Sequence, residues 1–422
     1  MTATGRKPSP LDAYAQWVAA CAAAGWHTQP VVEQVPVRDG LGRVTAAAAR
    51  ARWPSPRFAC AAMDGIAVAA GRVADESAKS GEWSLPASAF SWVDTGDPLP
   101  AGTDTVVERE RVQLRDDGAA VVTGLVPVGH NVRPTGEDFR AGELLIPAGR
   151  RLRPADLSAA AAAGHVALAV ARQPVVAIVP TGDEIRPVGS VLGPGEFTDT
   201  NSLLLAARVS QAGGIPVVTD VQPDDPDVLA AAVRETALDA DLVLVIAGSS
   251  RGRGDFTAAV LDQVGGLAVA GAAVRPGHPV LLGYVKPGRS GHPVPAGAQG
   301  ARPAGTVPAI GVPGYPLAAA VIFELFAAPL LARLLGSAGP DVLPVAARLG
   351  CAWKSPPEVE DWVLVSLRAA SDGAGGLVAT PAKGRGAGAI SRLVRADAWW
   401  RIPIGLDDFA PGMPIEVLPI AP

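Results

Sequence analysis

At 422 residues the chain is too long for one ordinary domain, and its length leads us to expect two to four. With 41 acidic and 36 basic residues the formal net charge is −5, which excludes the basic face of a general nucleic-acid binder. Cys21, Cys60 and Cys351 lie far apart without metal-type spacing, no leading apolar segment suits a signal peptide, and no uncharged apolar run of about 18 residues suits a membrane span, so a cytoplasmic protein with reduced thiols is expected.

Residues 11–25 read as a helix that ends at Gly25, with Trp17 on its buried side. Residues 31–49 are mixed, with a helical, Ala-rich end. From 51 to 132 short alternating runs broken by Gly and Pro predict a small β domain. Residues 154–164 return to helix, with Pro154 in the first turn and Gly164 at the end. The β block at 51–132 therefore reads as an insertion into a discontinuous helical/mixed domain, 8–50 and 133–172. An α/β domain is expected over 173–337. Its apolar runs 174–180, 241–246 and Val307–Val312 lack alternation, as parallel strands covered on both faces do. Helices predicted at 200–213, 226–238 and Pro316–Leu335 make these runs βα units of a doubly wound sheet. Residues 291–306 have the composition of a flexible loop inserted in this domain. The tail 338–422, with strand-like runs at 362–367, 376–381 and 413–418, reads as a final β domain.

In a doubly wound sheet, ligands sit beyond the carboxyl ends of the strands. The three runs empty into Thr181-Gly182-Asp183-Glu184, into Ala247-Gly248-Ser249-Ser250 and on to Asp255, and into Pro313-Gly314-Tyr315-Pro316. Asp183, Glu184, Asp224 and Asp255 would gather there, and clustered carboxylates need a shared cation. Oxygen ligands alone favour Mg²⁺ working with substrate phosphates. Gly-rich turns at helix N-termini offer amides to anions, and Arg275 and His278 add positive charge. Acids for a metal with amides and cations for phosphate describe phosphoanhydride or phosphoryl chemistry. Plainer roles compete. Asp199 and Asp225 precede helices and read as caps. Asp183, Glu184 and Asp255, taken singly, suit a turn or cap as well as a site; their joint placement favours the site. Gly248-Ser249-Ser250-Arg251-Gly252 also matches a serine nucleophile elbow, but only His278 and His292 follow it and no HGGG-like loop precedes it.

Six segments occur in order: Ala62-Met63-Asp64-Gly65-Ile66-Ala67-Val68, the stretch from Thr95-Gly96-Asp97-Pro98 to Asp104, Arg133-Pro134-Thr135-Gly136-Glu137-Asp138, the Thr181–Glu184 loop, Arg275-Pro276-Gly277-His278-Pro279, and Gly311-Val312-Pro313-Gly314-Tyr315-Pro316. Together they resemble the molybdopterin molybdenumtransferase family, from about Leu11 to the end of the chain. The resemblance implies four domains in an elongated homodimer, with a molybdopterin-binding-like α/β domain at the centre. It implies that adenylylated molybdopterin and molybdate bind, that a divalent cation promotes cleavage of the pyrophosphate bond, and that AMP leaves as the metal joins the dithiolene. By position Asp64, Thr95 and Asp138 match active-site residues that face the crevice of the other subunit. Glu184, Asp224 and Asp255 match carboxylates associated with metal, molybdate and catalysis, and Pro313 and Pro316 match the loop that lines the pocket. An upstream adenylyltransferase and acceptor molybdoenzymes are implied as partners.

The chain departs from the family pattern at the crevice. Arg275 and His278 stand where Lys is common, Ser249 and Ser250 where the loop more often reads G-G-V-S, Tyr315 where Asn is usual, and Ala318 where Ser is usual. These changes mark a divergent branch. They leave open an alternative, a non-catalytic relative that binds the pterin or an oxyanion as carrier, sensor or scaffold.

Overall fold

The computed structural model describes residues 7–27, 29–70, 82–124, 126–246, 255–287, 305–339, 343–370, 375–382 and 388–420. The chain forms two compact units, one of residues 1–32 with 171–422 and one of residues 33–170.

The first unit is organised on a six-stranded sheet. In chain order its strands are β1 (Val175–Pro180), β2 (Ile215–Val218), β3 (Leu242–Ile246), β4 (Gly265–Ala270), β5 (Leu281–Val285) and β6 (Val307–Val312), arranged β2-β1-β3-β6-β5-β4. The first four in that arrangement are parallel, whereas β5 and β4 are antiparallel to their neighbours. The helices are α1 (Pro10–Ala23), α2 (Asn201–Gln211), α3 (Pro226–Thr236), α4 (Asp255–Val264), α5 (Pro316–Ile322) and α6 (Ala328–Leu335). Leu229 and Val233 of α3 and Val260 and Leu261 of α4 pack on one face, against Val243 and Val245. Trp17, Leu205, Val209 and Phe326 pack on the other, against Ile178, Leu244 and Ile310. Both faces are covered, which is why β1, β3 and β6 are apolar without alternation.

Three strands escape the sequence reading, for local reasons. β2 is an edge strand with Pro216 in it and Ile215, Val217 and Val218 exposed. β4 opens with Gly265-Gly266, and β5 contains Gly283. A Cβ at Gly265 would stand 2.1 Å from the Tyr284 carbonyl oxygen, and one at Gly283 would stand 2.5 Å from that of Gly266. Close approach of the two backbones requires glycine there, and it removes the side-chain pattern that announces a strand.

Helix α1, grouped by the sequence reading with 133–172, belongs to the α/β unit. Ala13, Trp17 and Cys21 make a buried stripe at i, i+4 and i+8, and the Trp17 indole donates to the Gly283 carbonyl at 2.6 Å. Burial pushes the Cys21 thiol up to about 12, so it stays protonated at neutral pH. Helices α5 and α6 are joined by a five-residue π-helical turn, Phe323–Ala327. The 20-residue stretch Pro316–Leu335 is therefore long and apolar enough to cross a membrane by length and composition, although Glu324 and Arg333 interrupt it, so no uncharged apolar run is formed. It is a core helix in this fold, with Leu317 to Phe323 buried and Gly336 closing it in the left-handed region.

The C-terminal residues form a second six-stranded sheet, including Val345–Leu349, Glu360–Ala369, Leu377–Pro381, Ala398–Ile402 and Pro414–Pro419. Val363, Val365, Trp400, Ile402 and Val417 make its core. Val274–Arg275 joins its edge, parallel to Glu360–Asp361. The turn before β5 is thereby hydrogen-bonded to the C-terminal sheet.

The second unit holds a three-stranded sheet with Gly65–Val68 at its centre and another built on Ala120–Thr123, as expected of the inserted β block. The Ala-rich end of 31–49 is not helical. Thr45 bridges Val170, and Ala49–Arg50 pairs with Leu144–Ile146. Four alanines are too few to nucleate a helix against the bridges that Val44 and Thr45 make to Arg151 and Val170.

Candidate active site

The turns that follow β1 and β2 are bound to each other and to the last residue of β3. Thr181, 2% exposed, donates its hydroxyl to the Ile246 carbonyl at 2.9 Å and its amide to the same oxygen at 3.1 Å. The Gly182 amide donates to the Gln222 carbonyl at 3.1 Å, and the Asp224 amide donates to Asp183 Oδ1 at 3.2 Å. Gly182 has φ +134°, and a Cβ there would lie 3.1 Å from Glu184 Oε2. The turn thus folds the Glu184 carboxylate back over its own backbone, in a conformation that glycine permits. Gly182, Asp183, Glu184 and Asp224 are brought together at the carboxyl edge of the sheet. Asp255 is the first residue of α4, the helix that follows β3. Gly248, Ser249 and Ser250 lie outside the described residues.

After β6 the chain passes through Pro313 and Gly314 to Pro316, the first residue of α5. Asn201, at the start of α2, donates its amide to the Gly314 carbonyl at 2.7 Å and so ties this turn to the one that Asp199 caps, where the Ser202 amide donates to Asp199 Oδ1 at 3.0 Å. Asp225 caps α3 by accepting from the amides of Asp227 and Val228. Between the turns lies a cavity of about 470 Å³ whose lining includes Thr181, Asp199, Asn201, Gly314 and Tyr315. Phe197 and Tyr315 stand exposed at it, and Asn201 Oδ1 is buried without a hydrogen-bond partner among the described residues.

The two expected cations are differently placed. Arg275 donates from Nε to Asp361 Oδ1 at 2.9 Å and from Nη2 to Asp361 Oδ2 at 2.5 Å. Asp361 is buried and also accepts from the Ser355 hydroxyl at 3.0 Å. Burial, and secondly the charge of Lys7, hold the His278 imidazole below its ordinary pKa. Positive charge on the 275–278 turn is therefore largely committed or suppressed at neutral pH.

Among the described residues no group of three or more His, Cys, Asp and Glu side chains converges as a metal cage. Mg²⁺ does not need one, since it takes one or two carboxylates and completes its shell with water and substrate phosphates. Glu184 and Asp224, on turns hydrogen-bonded to each other, offer oxygen donors of the kind that ion takes.

In the second unit Asp64 and Thr95 meet. Asp64 Oδ1 accepts from the Thr95 amide and from the Thr95 hydroxyl, both at 2.7 Å. These two bonds, the hydroxyl's first, hold the Asp64 carboxyl below the usual range. Gly65 follows Asp64 at a point where a Cβ would stand 1.9 Å from the Val107 carbonyl oxygen. Asp138 sits on its own exposed turn, its amide donating to the Ser55 carbonyl at 2.9 Å.

Three family descriptions match successive parts of the chain: the MoeA N-terminal region (domain I and II) over residues 11–164, the probable molybdopterin binding domain over 177–333, and the MoeA C-terminal region (domain IV) over 346–420. The chain belongs to the molybdopterin molybdenumtransferase family. The molybdopterin molybdenumtransferase of Bacillus subtilis is 26% identical over 432 residues, covering 98% of this chain and 94% of the relative. That of Haemophilus influenzae is 28% identical over 327 residues, covering 75% and 72%. The crystal structure of the molybdopterin biosynthesis moea protein from Pyrococcus horikosii superposes with a TM-score of 0.78 at 27% identity, covering 98% of this chain and 99% of the other.

Within this family frame, several contacts at the site gave no signal in the sequence. Thr181 and Asn201 are small polar residues whose weight comes from burial and from partners 65 and 113 positions away. Asp361 lies in a strand of another sheet. Only the fold brings it to Arg275.

Proposed function

We propose that this chain inserts molybdate into adenylylated molybdopterin and releases AMP, in a Mg²⁺-dependent step of molybdenum cofactor biosynthesis. The observation that supports this most is the mutual bonding of the turns after β1 and β2 and the end of β3, which brings Asp183 and Asp224 together and carries Glu184 on the same turn as Thr181, a residue that lines a cavity of about 470 Å³. Bound Mg²⁺ would draw charge from the diphosphate oxygens and make AMP a better leaving group. Glu184 and Asp224 would hold it, with Asp255 at the start of α4 as the third carboxylate of the site. The amides at the start of α5 and around Gly314 face the substrate's anionic groups at a helix N-terminus. Gly182, Gly248, Ser249 and Ser250 supply further amides and hydroxyls, and Pro313 and Pro316 keep the pocket wall rigid. Asp64, Thr95 and Asp138 act on the crevice of a second copy, in a cytoplasmic homodimer that receives its substrate from an adenylyltransferase and passes product to acceptor molybdoenzymes.

One observation favours a second reading. With Arg275 paired to Asp361 and His278 held toward its neutral form, the site has less positive charge to offer a transition state, as a carrier or scaffold would. Purified protein mixed with adenylylated molybdopterin, molybdate and Mg²⁺ separates the two. AMP release supports the enzyme; binding without turnover supports the carrier.

A further inference from the structure

β5 runs antiparallel to β6 with Leu281 opposite Gly311, so the turn 271–280 that precedes β5 lies at the carboxyl edge, beside Pro313–Pro316. Gly277 packs there on α5, where a Cβ would stand 2.8 Å from Ile322 Cδ1 and 3.7 Å from the Ala318 carbonyl. Three basic side chains belong to this turn. Arg275 is engaged by Asp361 through one edge of its guanidinium, Nε and Nη2. His278 is driven toward its neutral form. The third, Lys7, comes from the segment before α1 and is brought in by the fold alone.

That segment is fixed on the turn. The Ala273 amide donates to the Pro8 carbonyl at 2.8 Å, and Lys7 Nζ donates to the His278 carbonyl at 3.4 Å. The ammonium rests over Gly271, where a Cβ would come within 2.8 Å of Nζ. Glycine at 271, with φ +91°, both allows the turn and leaves the seat for Lys7. An ammonium has three donors, and the bond to His278 is long enough to be given up at little cost. Lys7 is exposed, so its remaining donors face solvent, and the turn it rests on lies at the carboxyl edge of the sheet.

We propose that Lys7 is the cation this chain presents to the anionic substrate at the 271–278 turn, the role that the sequence suggests for Arg275 and His278. The inference rests on the reading above, in which a diphosphate and a molybdate dianion occupy the carboxyl edge. The ammonium leaves the His278 carbonyl for a phosphate or molybdate oxygen and makes a charge-assisted hydrogen bond there. A compact point charge on a flexible stem serves either oxyanion without a fixed fork geometry.

Full-length Lys7→Gln and Lys7→Arg variants test this. Gln keeps a donor for the His278 carbonyl and loses the charge; Arg keeps both. The readouts are calorimetric affinity for ADP with Mg²⁺, KM for adenylylated molybdopterin in AMP release, and the thermal midpoint. We expect K7Q to weaken ADP affinity and raise KM about tenfold, K7R to restore both to within about twofold, and the midpoint to stay put. Wild-type ADP affinity and KM in K7Q would overturn the proposal. So would equal losses in both variants with a lowered midpoint, which would make Lys7 an anchor of the N-terminal segment. If the wild type itself releases no AMP, the functional reading fails, while the ADP affinities still decide the role of Lys7.

Discussion

The Arg275–Asp361 pair should be asymmetric in what each partner's removal costs. Asp361→Ala leaves Arg275 with a side chain that is 47% exposed and can regain water, whereas the Ser355 hydroxyl, 5% exposed, loses its acceptor. One buried unsatisfied hydroxyl costs about 1–3 kcal/mol, so about 2 kcal/mol is expected. Arg275→Ala instead leaves a carboxylate, 3% exposed, with only the Ser355 hydroxyl against it among the described residues. Breaking a buried pair in that direction costs about 3–5 kcal/mol. The double variant should fall near Asp361→Ala alone, because the stranded charge is gone. Guanidinium denaturation followed by tryptophan fluorescence, with Trp362 next in sequence to Asp361, measures the ranking. Both single variants should also lower turnover alike, since either one loosens the 275–278 turn from the strand Glu360–Ala369. The reasoning is refuted if Asp361→Ala costs as much as Arg275→Ala. It is refuted equally if Asp361→Ala binds ADP more tightly than wild type, which would mean that a freed Arg275 grips the substrate.

Other outcomes follow from single contacts. Asp255→Ala should abolish AMP release while circular dichroism stays that of wild type; undiminished release would remove Asp255 from the mechanism. Thr95→Val keeps the amide bond to Asp64 and loses the hydroxyl bond, so the Asp64 carboxyl should titrate at higher pH, as read by carbon NMR. Its folded pKa is depressed, so the contact stabilises above the unfolded value of about 3.9 and fades as pH falls through the folded value. Acid unfolding of Thr95→Val should therefore be less steep in that window, and a superimposable curve would count against the contact. Gly65→Ala sets a Cβ 1.9 Å from the Val107 carbonyl and should destabilise the unit 33–170 by about 3 kcal/mol, measured by calorimetry; an unchanged transition would deny the close strand pairing.

Parallel strands β1, β3 and β6 were legible because both faces are buried, and the residues that follow them could be placed at the carboxyl edge from the parallel arrangement alone. The caps at Asp199 and Asp225 followed from local chemistry. What escaped was what needs a partner distant in sequence. Strands β4 and β5 pair through glycines that carry no pattern, α1 could be assigned to the α/β unit only once Gly283 was there to accept from Trp17, and Asp361 engages Arg275 from 86 positions away. Arg275 is the instructive case. Its position and type suggested an anion grip, and its side chain is bound to a buried acid instead. Lys7 gave no functional signal, standing beside Arg6 in a short N-terminal stretch.

A crystal structure with Mg²⁺ and a non-hydrolysable diphosphate analogue of the adenylylated substrate tests the central claim most directly. The account predicts the diphosphate between residues 181–184 and 313–316, with Mg²⁺ on Glu184 and Asp224. A diphosphate bound only at another surface, with those carboxylates facing solvent, would contradict it.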